Sequence, residues 1–286
     1  MIIFVVGPTA TGKSAWALQE TERGGGIILN ADSVQVYRYF DIGSAKPSME
    51  DRQRVPHELY DIALPDQEFT AGEYRRAALN VIEREAKNRD IFVVGGSGFY
   101  IQALEKGMYD VPKIDDQIRA QVDEWESRNE LWSQLECVDP ISAARLSPND
   151  HYRVRRALEV TLTTGRAWSA LANELKQNPH RLSAQYEIRK VGVQLPREIL
   201  RSRIVERTQK MFQQGLLDEV KSLVERGYAD SRPFTSVGYF ECKEYLAGRL
   251  SRDILEEAIV TSTMRLAKKQ MTWFRRDHEI TWQDGL

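Results

Sequence analysis

Short, wholly apolar runs that stop at or near glycine recur along the first hundred residues, and helix-like stretches separate them. Ile2–Val6 is the first such run, and after Gly7 the segment from Lys13 has helical composition, so strand, loop and helix are expected in that order. Residues 27–29 read as a second buried strand. Thr70 and Glu73 have capping-box spacing ahead of an amphipathic stretch reaching about residue 87. Ile91–Val94 is a third strand and runs into Gly95-Gly96-Ser97-Gly98. Apolar strands alternating with helices predict an α/β fold with a parallel sheet flanked by helices.

The period changes from about residue 109 to 186, which is helical, polar and rich in arginine. Strand character returns at 188–195, and helical stretches follow at 197–214, 216–226 and 252–271. The expected organisation is a core of residues 1–108 and 187–286 carrying a helical insertion at 109–186. Within the insertion, Ser147 and Pro148 read as the cap and first residue of a helix. At about 100° per residue, Val154, Leu158 and Leu162 share one face of that helix, and Arg153 and Arg156 point away as a free cationic face. Arg155, four residues before Glu159, pairs with it in this reading.

Composition narrows the picture without deciding it. At 286 residues and 42% hydrophobic, the chain has enough apolar material for a large core. Its N-terminus lacks a basic leader and a cleavage site, and no run is long enough to span a bilayer, so a cytoplasmic protein without a membrane contact is expected. Cys137 and Cys242 fall in no metal-binding pattern. A net charge of −2 argues against a nucleic-acid binder only as a total. Arg153, Arg155 and Arg156 form one basic knot, and Arg265, Lys268, Lys269, Arg275 and Arg276 form another with no acid between Met264 and Arg276. Arg265 and Lys269 also share an arc with Ile254 and Leu255, which suits either an RNA surface or snorkelling side chains.

The strongest chemical signal is Gly7-Pro8-Thr9-Ala10-Thr11-Gly12-Lys13-Ser14, a GxxxxGK[ST] phosphate loop between strand and helix. Its backbone N–H groups converge on phosphate oxygens, Lys13 adds charge, and the Ser14 hydroxyl suits Mg²⁺. A nucleotide hydrolase usually carries an acid at the end of a buried strand, yet Ile91–Val94 leads only to glycine and serine. Asp32, just past residues 27–29, is the acid expected to face Lys13, with capping of the next segment as its other reading. Arg203 and Arg207, four apart, either reach a departing pyrophosphate or form surface ion pairs.

Read in order, GPTATGKS, NADSVQVYRYFDIGSAKP, VPHELYDI, FVVGGSGFYIQAL, SPNDHYRVRRALEV, SVGYFECKEYL and LAKKQMTWFRR resemble the tRNA dimethylallyltransferase family, also called tRNA isopentenyltransferases. The resemblance implies transfer of a dimethylallyl group from dimethylallyl pyrophosphate to the exocyclic amine of the adenosine 3′ of the anticodon. Under it the P-loop residues Gly7, Thr9, Ala10, Thr11, Gly12, Lys13 and Ser14, with Arg203, bind the diphosphate together with Mg²⁺. Asp32 becomes the base, and Ser97, in place of the usual threonine, and Arg207 join it in catalysis. Ser33, Val34, Gln35, Tyr152, Arg153, Arg155, Arg156, Thr235, Ser236, Val237, Gly238, Tyr239, Phe240 and Lys269 are the expected contacts to the tRNA anticodon arm. A monomer is expected. The competing readings are a small-molecule or nucleoside P-loop kinase using ATP, prenylation of free adenine nucleotides, and an RNA-binding module without chemistry.

Overall fold

The fold is that of a computed structural model, which describes residues 1–109, 112–176 and 181–285. Six strands, β1 (Ile2–Val6), β2 (Ile27–Asn30), β3 (His57–Glu58), β4 (Ile91–Val94), β5 (Ile188–Gln194) and β6 (Thr281–Asp284), form one sheet in the order β3-β2-β4-β1-β5-β6. Every neighbouring pair is parallel, with Val5 opposite Val94 on one side and Val191 on the other. All residues of β1, β2 and β4 are buried, which is why their sequences are apolar runs rather than alternating patterns.

In chain order the helices are α1 (Lys13–Gly24), α2 (Met49–Arg54), α3 (Ala71–Glu85), α4 (Gly98–Lys106), α5 (Asp116–Ser127), α6 (Leu131–Val138), α7 (Pro140–Ala143), α8 (His151–Thr164), α9 (Trp168–Lys176), α10 (Arg197–Gln213), α11 (Leu216–Glu225), α12 (Tyr239–Leu246) and α13 (Arg252–Phe274). The Thr70–Glu73 capping box is present: each side chain accepts from the other residue's backbone N–H ahead of α3. The chain divides into two compact units, one of Met1–Glu105 with Gln185–Leu286 and one of Lys106–Ala184.

In the sheet-bearing unit, Lys190 of β5 is buried and donates to Glu105 at 2.6 Å, Asp277 at 2.7 Å and Glu279 at 2.8 Å. Burial works against its charge, but the three carboxylates outweigh that cost and hold its pKa above the ordinary lysine value. The three acids lie close enough together for a metal ion, and the ammonium is bound among them instead.

The helical unit closes around Val122, Leu135, Val154 and Leu158, with Leu162 packed against them. Its α8 does not begin at Ser147 and Pro148 as expected. The Ser147 hydroxyl accepts from Asn149 N–H and its carbonyl from Asp150 N–H, forming a turn, and Asp150 then caps the helix by accepting from Arg153 N–H. A carboxylate at a helix N-terminus gains from the dipole as well as the hydrogen bond, so it displaces the serine.

Asp139 is the buried polar centre of this unit and accepts from the N–H and hydroxyl groups of both Ser142 and Ser169. Burial alone would raise its pKa, but these four donors bring it below the ordinary carboxyl value. A depressed pKa adds stability that is present above the ordinary aspartate value and is lost as pH falls through the folded value. Asp139→Ala is therefore expected to cost about 3 kcal/mol at pH 7, since hydrogen bonds to a charged group contribute about 1.5–3 kcal/mol each and are not additive. The cost should shrink at pH 3. Urea denaturation followed by tryptophan fluorescence at both pH values checks this, and an equal cost at each would refute it.

Candidate active site

Residues 7–12 join β1 to α1 and wrap the N-terminus of that helix. Gly7 has φ 133°, and a Cβ there would lie 2.3 Å from the Val193 carbonyl oxygen of β5, so a side chain has neither the dihedral nor the room. No side chain caps α1 and no acid lies in its first turn, which leaves the N-terminal dipole open to an anion. Thr9, Ala10, Gly12, Lys13 and Ser14 line a cavity of about 510 Å³. Gly7 and Thr11 are buried and do not line it, and the Thr11 hydroxyl donates to the Pro8 carbonyl at 2.9 Å.

Two cations are held against this loop. Lys13 donates to the Pro8 carbonyl at 2.5 Å, and burial, then the nearby Arg207, lowers its pKa to about 7, with Asp32 opposing the fall. Arg203 and Arg207 lie one turn apart on α10, both line the cavity, and Arg207 donates to the Thr9 hydroxyl at 3.0 Å. Burial lowers the Arg207 pKa too, and again Asp32 opposes it. Charges this poorly solvated favour an anion placed between them.

Asp32 lines the same cavity and the adjoining one of about 90 Å³. It is aimed by Asn30, the fully buried last residue of β2, whose side chain accepts from Asp32 N–H at 2.9 Å and donates to the Asp32 and Leu59 carbonyls. Asp32 Oδ1 accepts from Val34 N–H at 2.8 Å and Gln35 N–H at 3.3 Å, closing a turn rather than capping a helix. Oδ2 makes no hydrogen bond among the described residues, so the residue closes its turn and still offers an oxygen to the cavity.

Two polar anchors escaped the sequence reading. Asn30 stands out only as a polar residue at the end of an apolar run. Gln270 of α13 accepts from Thr9 N–H at 2.9 Å and donates to the Gly96 carbonyl at 3.1 Å, so one amide ties the phosphate loop to the loop after β4. Its neighbour Lys269 is exposed and lines neither cavity. Gly95 and Gly96 face the larger cavity, whereas the Ser97 hydroxyl accepts from Ser33 N–H at 2.9 Å and donates to the Ser33 hydroxyl at 3.1 Å. Ser97 thus holds the Asp32 turn.

Of the other expected contacts in this unit, Gln35 lines the larger cavity, and Val34, Ser236, Val237, Gly238 and Tyr239 line the smaller. Thr235 and Phe240 are exposed beside that segment. In the helical unit Tyr152 is 76% exposed. Arg155 pairs with Glu159 as expected, and with Asp123 and Glu126 as well. Arg153 is exposed and Arg156 half-buried, and neither is free of partners: Arg153 pairs with Asp150 at 2.9 Å and Arg156 with Glu159 at 3.2 Å. The expectation of an unpaired face missed both, because Asp150 and Glu159 each lie three residues away along the helix.

A phosphate loop at the C-terminal edge of a parallel sheet, with buried Lys13, part-buried Arg207 and a carboxylate across one cavity, defines a P-loop α/β protein. The IPP transferase family model matches residues 35–277, and the chain belongs to that family. A tRNA dimethylallyltransferase of Geobacter metallireducens is 46% identical over 98% of this chain and 91% of its own length. One from Bdellovibrio bacteriovorus is 43% identical over 99% and 93%. The crystal structure of a full-length tRNA isopentenylpyrophosphate transferase from Bacillus halodurans superposes with TM-score 0.72 at 32% identity, covering 99% of this chain and 89% of that one. A eukaryotic dimethylallyltransferase acting on tRNA gives TM-score 0.81 at 25% identity, covering 99% and 73%.

Proposed function

We propose that this chain transfers a dimethylallyl group from dimethylallyl pyrophosphate to the exocyclic amine of the adenosine 3′ of the anticodon in tRNA. The observation that carries the reading is the single cavity in which the phosphate loop, Lys13, Arg203 and Arg207 meet Asp32. The relatives bear the name of the same transfer, which favours it over the kinase reading.

In the reaction the diphosphate rests at the N-terminus of α1 against Lys13 and Arg207. The amine nitrogen bonds to the allylic carbon as the carbon–oxygen bond to pyrophosphate breaks. Fixed cations stabilise the charge growing on the leaving oxygen, and Asp32 Oδ2 accepts the amine proton. The adenine reaches this cavity by leaving the stack of the anticodon loop, at a cost of a few kcal/mol that is smallest for unpaired bases. The hydroxyl of Ser14 lines the cavity and makes no hydrogen bond among the described residues; this hard oxygen fits Mg²⁺, which takes one or two protein ligands alongside phosphate oxygens. When bound, Mg²⁺ supplies neutralisation of the diphosphate charge.

No helix among the described residues is long and apolar enough to cross a membrane. We read the enzyme as a cytoplasmic monomer. Incubation with radiolabelled dimethylallyl pyrophosphate or labelled ATP, and with tRNA or AMP as acceptor, tests the proposal. Label passing from the prenyl donor to tRNA is expected, and label on AMP or from ATP would overturn it.

The helical unit supplies phosphate contacts in this reading. Arg153→Glu with Arg156→Glu is expected to weaken tRNA binding and to lower the salt slope by about 0.7–0.9 per lost contact. Arg155→Glu should matter less for tRNA, because three carboxylates already engage Arg155. Filter binding from 50 to 200 mM salt decides it, and an unchanged slope would return these arginines to an ordinary solvated face.

A further inference from the structure

Glu219 of α11 collects four donors on one carboxylate. Oε2 accepts from the N–H groups of Asp41 at 3.2 Å and Ile42 at 2.8 Å. Oε1 accepts from Gly43 N–H at 3.2 Å and from the Tyr239 hydroxyl at 2.6 Å. Three consecutive backbone donors turned toward one anion make a tight loop whose shape depends on that anion. The loop also touches Tyr239 directly: a Cβ on Gly43 would lie 2.6 Å from the Tyr239 ring.

From this loop the network continues to the reactive carboxylate. Gln35 Nε2 donates to the carbonyls of Ser44 at 2.9 Å and Ala45 at 3.1 Å, and Gln35 N–H in turn donates to Asp32 Oδ1. Gly43, Ser44 and Tyr239 line the smaller cavity together with Asp32. One side chain that lines neither cavity thus sets two walls of the smaller one and one support of Asp32.

We propose that Glu219 is a positioning residue for the transfer, acting through the 41–45 loop and Tyr239; this rests on the function proposed above. It touches no reacting atom. Its loss should let Asp32 and the facing segment drift by about 1 Å while leaving the phosphate loop in place.

The test is Glu219→Gln, which keeps size and one acceptor oxygen but turns an amide N–H₂ toward backbone donors. Its single-turnover rate on tRNA at saturating donor is expected to fall about 10- to 100-fold, the scale on which a remote displacement of about 1 Å acts. The donor KM should stay within about twofold: Ser44 and Ala45 line the same cavity, but the phosphate loop, Lys13 and Arg207 that hold the diphosphate make no hydrogen bond to the 41–45 loop among the described residues. Adding Tyr239→Phe should lower the rate no further, because both changes break one unit. Glu219→Asp keeps the charge but withdraws it, and an intermediate loss of about three- to tenfold is expected on the same scale. A wild-type rate per folded molecule in either variant overturns the inference, as does a donor KM that rises in step with the loss. A native enzyme that labels no tRNA overturns the functional reading and the inference with it, whereas an active native enzyme with undiminished variants overturns the inference alone.

Discussion

Asp32→Asn is expected to lower the single-turnover prenylation rate by about 10²–10⁴-fold, the usual contribution of a positioned general base. Asparagine keeps the side-chain size and an oxygen able to accept from Val34 and Gln35, so the turn closed by Oδ1 should persist. What is lost is the basic Oδ2 that would take the amine proton. Binding of tRNA and of dimethylallyl pyrophosphate should therefore change little, and loss of rate without loss of affinity marks an interaction made only on the way to the transition state. Rapid-quench measurement with enzyme in excess separates the two. A variant with near-normal rate and poor tRNA binding would make Asp32 a binding residue and place the proton acceptor elsewhere.

Lys13→Met is expected to weaken donor binding about 10- to 100-fold, since a hydrogen bond to a charged partner contributes about 1.5–3 kcal/mol. Binding of tRNA should remain. The native enzyme carries a pH signature as well. Burial and Arg207 hold Lys13 at about 7 in the protein alone, and a diphosphate beside it favours the protonated form and raises that value. Above pH 7 the bound state then carries more protons than the free state, so affinity falls as pH rises, by up to about tenfold per unit. Ionisation of the donor itself is common to both proteins, so the difference between native and Lys13→Met titrations isolates Lys13. Calorimetry at pH 8 in buffers of different ionisation enthalpy should show more proton uptake in the native enzyme than in Lys13→Met; equal uptake in both would refute the assignment.

The elements that bury both faces were the legible ones. β1, β2 and β4 are apolar runs because helices cover the sheet, and the phosphate loop has a spacing that few other structures require. β3 and β6 left little trace, because the two residues of His57–Glu58 and the polar Thr281–Asp284 are edge strands with no apolar face to advertise. In the site, cations and the carboxylate could be read because their chemistry is local. Gln270 and Glu219 could not, since each acts through hydrogen bonds to residues distant in sequence, and Asn30 could not because its bonds to Asp32 are fixed only by the packing that also ties it to Leu59. The start of α8 failed for a related reason: Ser147 and Asp150 both suit a cap, and only the observed turn between them decides.

The strand order carries a consequence for synthesis. β1 is made first and β4 can cover one of its edges, but its other edge pairs with β5, which follows only after the whole helical unit. At about 5–20 residues per second on the ribosome, that edge waits for roughly 5–20 s. An apolar strand with unpaired N–H and C=O groups is a template for the wrong partner. The helical unit, whose contacts are local and fast to form, thus acts as a delay in translation during which the nascent sheet depends on chaperones or on its own slowness to aggregate. Only when β5 arrives does that edge close, and only with Asp277 and Glu279 does Lys190 acquire its full set of partners.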